Sequence, residues 1–136
     1  ARCGENAITG EPIVVSGDPT LLRRMIRNLI ENAQQHGSPP VEVRVRRQGQ
    51  RAVLTVSDGG DGIPTAEREH VFAPFYRLRR THSRGSGLGL ALVRQIARQH
   101  GGEASAASAA ARPSMIEVTL PAAPATQVPM LRDAAA

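Results

Sequence analysis

The chain has 136 residues, with 17 basic against 12 acidic side chains, a formal net charge of +5 and 40% hydrophobic content. With no Trp, one Tyr and two Phe, the core must be aliphatic, and the length suits a single domain. The lone Cys3 excludes an internal disulfide framework and a cysteine-based zinc site, which fits a reducing cytoplasm. No apolar run approaches the roughly 18–20 residues of a membrane span, so no membrane contact by this domain is expected, and no signal-peptide pattern opens the chain. Every basic residue is arginine, scattered and without aromatic stacking platforms, so nucleic acid is not an expected partner. Any cationic contact to phosphate must therefore come from an arginine fork.

Residues 1–11 carry no clear pattern and are open to being the remainder of a strand. Residues 12–16 (Pro-Ile-Val-Val-Ser) form a short β-rich run. Gly17 ends it, Asp18 is a good N-cap, and Pro19 suits the first helical position, where its missing N–H costs nothing. The pattern predicts a helix to about His36, stopped by a left-handed Gly37 and barred from continuing by Pro39-Pro40. On that helix Leu22, Met25, Ile26, Leu29, Ile30 and Ala33 make one broad apolar face, with Arg23, Arg24 and Arg27 opposite. Asn28, Asn32 and His36 recur every four residues and form a polar stripe along the edge of that face. An isolated Asn there reads as surface; a regular stripe reads as a set of ligands.

Residues 41–46 alternate apolar and polar, as a strand with one buried face does. A polar turn at 47–51 leads to a return strand at 52–57, apolar on both faces and so central in the sheet. Asp58 stands at its end, before a glycine loop, where a carboxylate must find hydrogen-bond donors or suffer desolvation. Locally it reads equally as a loop cap or as a ligand. Asp58-Gly59-Gly60-Asp61-Gly62 lacks the alternating acids and twelfth-position Glu of an EF-hand, which excludes that calcium loop.

Residues 65–73 are predicted to form a short helix. The run from Arg77 to Gly85, arginine-rich and without periodicity, reads as a mobile loop that covers a bound anion. From about Gly87 to His100 the pattern is helical again, ended by Gly101-Gly102. The glycines before it therefore sit at a helix N-terminus, where free N–H groups attract anions. Their G-x-G-x-G spacing after a loop does not fit a dinucleotide fingerprint. Residues 103–108 and 114–120 suggest two last strands, and residues 122–136 an Ala/Pro-rich flexible tail.

Four segments occur in order: Asn28 to His36, Asp58 to Ile63, Phe72-Ala73-Pro74-Phe75, and Gly85-Ser86-Gly87-Leu88-Gly89-Leu90. Together they resemble the N box, first glycine box, F box and second glycine box of the catalytic, ATP-binding domain of sensor histidine kinases. The resemblance covers residues 12–121. It implies an α/β two-layer sandwich, the Bergerat ATP-binding fold, with a mixed sheet of about five strands and about three helices on one face.

The resemblance further implies ATP and Mg²⁺ as cofactors. Asp58 would accept from the adenine amino group, Gly60 and Gly62 would let the backbone approach the base, and Ile63 would help wall it. Asn32, with Asn28 beside it, would hold the metal, and His36 would lie near the nucleotide. Phe75 belongs to the same site, Arg77 and Arg84 are the candidates for phosphate contact, and Gly85, Ser86, Gly87, Leu88, Gly89 and Leu90 would close over the triphosphate. Hydrolysing members of the superfamily place a general-base Glu where Asn28 stands. Asn takes no proton from water at neutral pH, which favours phosphoryl transfer over hydrolysis. Glu31 is nearby but projects further from the apolar face.

Two departures stand out. Gln35 replaces a common basic residue, and Pro113-Ser114 replace the Gly-Thr usual before the last strand, which leaves the part of that loop in adenine binding open. None of His36, His70, His82 and His100 has the context of a phosphoacceptor. The resemblance thus implies the catalytic part of a cytoplasmic region of a membrane-anchored sensor. Its expected partners are its own dimerisation and phosphoacceptor helices and a response regulator. The alternatives are an anti-sigma-factor-type serine kinase of the same fold and a catalytically silent regulatory module.

Overall fold

Asp18 caps the first helix as its sequence position dictates. Its Oδ1 accepts from the N–H groups of Thr20 at 2.9 Å and Leu21 at 3.3 Å, satisfying two of the donors that a helix start leaves open. The computed structural model of the chain describes residues 6–74, 89–109 and 112–124. Strand β1 (Asn6–Gly10) leads to helix α1 (Pro19–His36), and strands β2 (Val41–Gln48) and β3 (Arg51–Asp58) follow. Two 3-10 turns, Thr65–Glu67 and His70–Phe72, precede helix α2 (Gly89–Gln99) and strands β4 (Glu103–Ala109) and β5 (Arg112–Pro121).

The strands make one sheet in the order β1-β2-β3-β5-β4. Only β1 pairs in parallel, beside β2, because α1 forms the crossover between them; the other pairs are antiparallel. The mixed five-stranded sheet of the expected α/β sandwich is thus present, with β3 at its centre. Ala52, Val53, Leu54, Val56 and Ser57 are all buried on that strand, as its two-sided apolar pattern requires.

The helices cover one face. Met25, Leu29 and Ala33 of α1 and Val93, Ile96 and Ala97 of α2 meet Val43, Leu54, Val56 and Val118 of the sheet. Leu29 is only 1% exposed, so truncating it to Ala costs about 2–5 kcal/mol. A second link joins the two helices end to end. His100, just after α2, sets its Nδ1 2.8 Å from the Ile96 carbonyl, and its Nε2 accepts from the Asp18 N–H at 3.1 Å. The first contact requires the proton on Nδ1 and the second a bare Nε2, so the neutral Nδ1–H tautomer satisfies both.

Three local expectations are corrected. Residues 12–16 are not a strand; the first strand is β1, Asn6–Gly10, which lies earlier in the chain and pairs in register with Val41 to Val45. It ends at Gly10, where φ is 137° and a Cβ would run into the Val45 carbonyl. Gly37 ends α1 in an extended conformation, with φ −102° and ψ −163°, rather than a left-handed one. Residues 65–73 form two 3-10 turns in place of one helix, with Pro64 and the buried pair Val71 and Phe72 setting their path.

Candidate nucleotide-binding site

The end of β3 and the end of α1 are locked together around one carboxylate. Asp58 Oδ1 accepts from the N–H of Gly60 at 2.7 Å and of Ser38 at 3.3 Å. Its Oδ2 accepts from the Ser114 hydroxyl at 2.8 Å. The Gly59 N–H also donates to the Ser38 carbonyl at 2.6 Å. A carboxylate offers about four acceptor positions, so among the described residues these three donors fix its plane and leave one lone pair on Oδ2 open. Asp58 is half-buried and is therefore reachable from outside. The arrangement goes beyond a loop cap, since both oxygens are oriented by separate elements.

The glycines explain themselves from this packing. A Cβ on Gly37 would strike the Asp58 carboxyl group, which is why the helix must end on glycine despite ordinary dihedrals. Gly62 has φ 96°, and a Cβ there would lie 2.5 Å from the Pro113 carbonyl oxygen. Gly60 would bring a Cβ within 2.8 Å of Asp58 Oδ1. Gly62 thus lies against the start of β5, which carries Ser114, and the following Ile63 is half-buried against the core.

Asn28, Asn32 and His36 are each half-buried along α1, the edge position their spacing predicts. His36 is adjacent to Gly37 and Ser38, so the stripe runs toward the Asp58 cluster. Glu31 faces elsewhere: it lines a shallow groove on the outer side of α1 with Arg23, Ile26, Arg27, Ile30 and Gln34. Gly89 opens α2 and is exposed, and a Cβ there would meet nothing within 4 Å. Leu90 is buried in the core, 8% exposed, so its side chain packs the fold. Phe75, Arg77, Arg84, Gly85, Ser86, Gly87 and Leu88 lie outside the described residues.

Ser114 is the participant that the sequence pattern left open. It is the register partner of Asp58 across the central strand pair, and serine retains the hydroxyl that the usual threonine supplies. The available signal was the hydroxyl of Ser114 at the start of the last strand, irrespective of the proline before it.

The family described as histidine kinase-, DNA gyrase B- and HSP90-like ATPase matches residues 17–124. The chain belongs to that family. Among curated relatives, it is 41% identical over 109 residues to the signal transduction histidine-protein kinase AfsQ2 of Streptomyces coelicolor, covering 79% of this chain and 20% of that protein. It is 36% identical over 106 residues to the alginate biosynthesis sensor protein KinB of Pseudomonas aeruginosa, covering 76% of this chain and 18% of the relative. Among solved structures, the mycobacterial sensor histidine kinase MprB superposes with a TM-score of 0.80 at 39% identity, covering 88% of this chain and 84% of that one. The catalytic domain of histidine kinase ThkA, at 21% identity and TM-score 0.73 over 88% of this chain and 81% of that one, shares the fold. The chain spans between 15% and 29% of the length of these and similar curated relatives. It is the ATPase-type catalytic domain of the sensor histidine kinase kind, which implies ATP binding. Among the described residues no helix is long and apolar enough to cross a membrane.

Proposed function

We propose that this domain binds Mg-ATP and donates the γ-phosphoryl group to a histidine on a separate dimerisation and phosphoacceptor domain, within a sensor that signals to a response regulator. The observation that carries the reading is the oriented Asp58 carboxylate, held by Gly60, Ser114 and Ser38, the last just beyond the end of the helix that carries the two asparagines. A held carboxylate accepts from the exocyclic amine of adenine; guanine would present a carbonyl oxygen at that point, and two acceptors repel. Gly60 and Gly62 keep side chains away from the base, and Ile63 supplies an apolar wall.

Asn32 and Asn28 are the residues that would hold Mg²⁺. Their carboxamide oxygens are hard, neutral donors of the kind such a cation would accept. Bound there, the metal would neutralise charge on the phosphates. The chain's own contribution is placement. α1 sets the asparagines and the β3 end sets the base, so the triphosphate is aimed with little chemistry asked of the protein. Asn28, a carboxamide, offers no base for water, which favours transfer to an acceptor over hydrolysis. Arg77 and Arg84 remain the proposed phosphate contacts.

The test is transfer itself. The chain is incubated with Mg-ATP and a separately supplied histidine-bearing helical domain from a sensor kinase. Acid-labile, base-stable label on that domain supports the reading. Label on serine would favour the anti-sigma-factor type of kinase, and nucleotide binding with no transfer to any helical acceptor would favour the silent regulatory module.

A further inference from the structure

Arg94, in the middle of α2, is the most heavily engaged side chain among the described residues, and nothing in the site above uses it. Its side chain is 14% exposed. Nε and one terminal nitrogen donate to the Ala104 carbonyl of β4 at 3.2 and 2.9 Å. The two terminal nitrogens also take the two oxygens of Glu69 at 3.0 and 3.2 Å. Nε lies 3.2 Å from Glu103 Oε1, and the guanidinium carbon sits 4.2 Å from the centroid of the Phe72 ring.

Contact between α2 and β4 is ordinary packing. Phe72 belongs to the core as well, but the reach to Glu69 is different in kind, because it takes the guanidinium out of the core to an exposed carboxylate. Glu69 lies between the two 3-10 turns with its side chain 76% exposed. Its carboxyl is held below the ordinary value by the Arg94 hydrogen bond and charge. Each turn has one short backbone bond, Glu67 N–H to the Pro64 carbonyl at 2.8 Å and Ala73 N–H to the His70 carbonyl at 2.9 Å, and one long one, Arg68 N–H to the Thr65 carbonyl at 3.3 Å and Phe72 N–H to the Glu69 carbonyl at 3.4 Å. One residue before Glu69, Arg68 Nε donates to the Ile63 carbonyl at 3.2 Å. A continuous path therefore runs from Ile63 through Arg68 and Glu69 to Arg94 on α2. Ile63 follows Gly62, which lies against Pro113 at the start of β5, where the Ser114 hydroxyl orients Asp58.

We propose that Arg94 is a positioning residue for nucleotide binding: by gripping Glu69 and Phe72 it fixes the segment that presents Ile63 as the wall of the base pocket. The inference rests on the nucleotide reading of the Asp58 site. A planar guanidinium is required, since it serves two carboxylate oxygens and a carbonyl in one plane while its face covers the ring. Lysine, a single point charge, cannot do all of these at once.

The experiment measures ATP affinity and thermal stability of the 136-residue chain and of Glu69→Gln, Arg94→Lys and the double variant, in magnesium buffer. Glu69→Gln is the decisive substitution, because an exposed, isosteric change leaves folding intact. The expected result is a Kd for ATP raised about fivefold in each single variant. The double variant should bind no worse than the weaker single, as members of one linkage do. ATP should also protect amides of residues 63–74 from exchange in the wild type and less so in Glu69→Gln. Wild-type affinity in both single variants, with only a lower Tm in Arg94→Lys, would reduce Arg94 to a structural residue and overturn the proposal. No ATP binding by the folded wild-type chain would remove the nucleotide reading itself, and this inference with it.

Discussion

Ser114 donates its hydroxyl to Asp58 across 2.8 Å, joining the third residue of β5 to the last residue of β3 as direct register partners. The bond turns the Asp58 carboxylate into a fixed acceptor rather than a swinging one. Hydrogen bonds to charged groups contribute about 1.5–3 kcal/mol. Ser114→Ala should therefore weaken ATP binding about tenfold or more, while Ser114→Thr, which keeps the hydroxyl, should bind close to wild type. Titration calorimetry on the two variants checks this; equal loss in both would point to strand packing and not to the hydroxyl.

The glycines of the two boxes should separate fold from ligand. Gly62 has a left-handed φ and faces the Pro113 carbonyl, so Gly62→Ala should destabilise the chain by about 1–3 kcal/mol in denaturant unfolding. Gly89 has open space around its Cβ position, and Gly89→Ala at the start of α2 should stabilise by about 0.4–1 kcal/mol. If Gly89→Ala nonetheless loses ATP affinity, its glycine serves the nucleotide; unchanged affinity assigns it to neither task.

His100 bridges the start of α1 and the end of α2 through Asp18 and Ile96. Its removal leaves the Asp18 N–H and a void beside Gly17, where the imidazole now packs. His100→Ala should cost about 0.5–1.5 kcal/mol. His100→Gln, with an amide oxygen to accept from Asp18, should recover part of the loss, measured as Tm.

Acid should loosen the link between α2 and the 3-10 turns. Arg94 lowers the Glu69 carboxyl from 4.5, chiefly by hydrogen bonding and then by charge. The Ala104 N–H is the main cause of the lowered Glu103, with Arg98 and Arg94 adding to it against some desolvation. Both groups hold protons less tightly folded than unfolded, so the unfolded chain binds more protons in this range. Their contribution to stability is complete above the unfolded value and is lost as pH falls through the folded one. A Tm series from about pH 6 to about pH 3 should fall, and Glu69→Gln should make the fall shallower; parallel curves would show that Glu69 carries none of it.

Much of this was legible from local pattern. Asp18-Pro19 and the apolar spacing from Leu22 to Ala33 specify α1 because capping and periodicity are local. The alternation from Val41 onward specifies β2, and the two-sided apolar run specifies the central β3. β1 was not legible, because a parallel strand is defined by a partner beyond the intervening helix and residues 12–16 had the stronger β composition. Gly37 was assigned the wrong conformation for a similar reason: its need for glycine comes from Asp58, distant in sequence. The Asn stripe and Asp58 could be read as ligands from motif order, whereas Ser114 and Arg94 act through register and packing that no spacing encodes.

The central claim is that Asp58 reads adenine while Asn32 answers to the metal. The most direct measurement is calorimetric titration of ATP into the chain with and without Mg²⁺, alongside Asp58→Ala and Asn32→Ala. The account predicts binding that magnesium strengthens, loss of most affinity in Asp58→Ala under both conditions, and loss of only the magnesium-dependent part in Asn32→Ala. ATP binding that survives Asp58→Ala, or no binding by a folded wild-type chain, would contradict it.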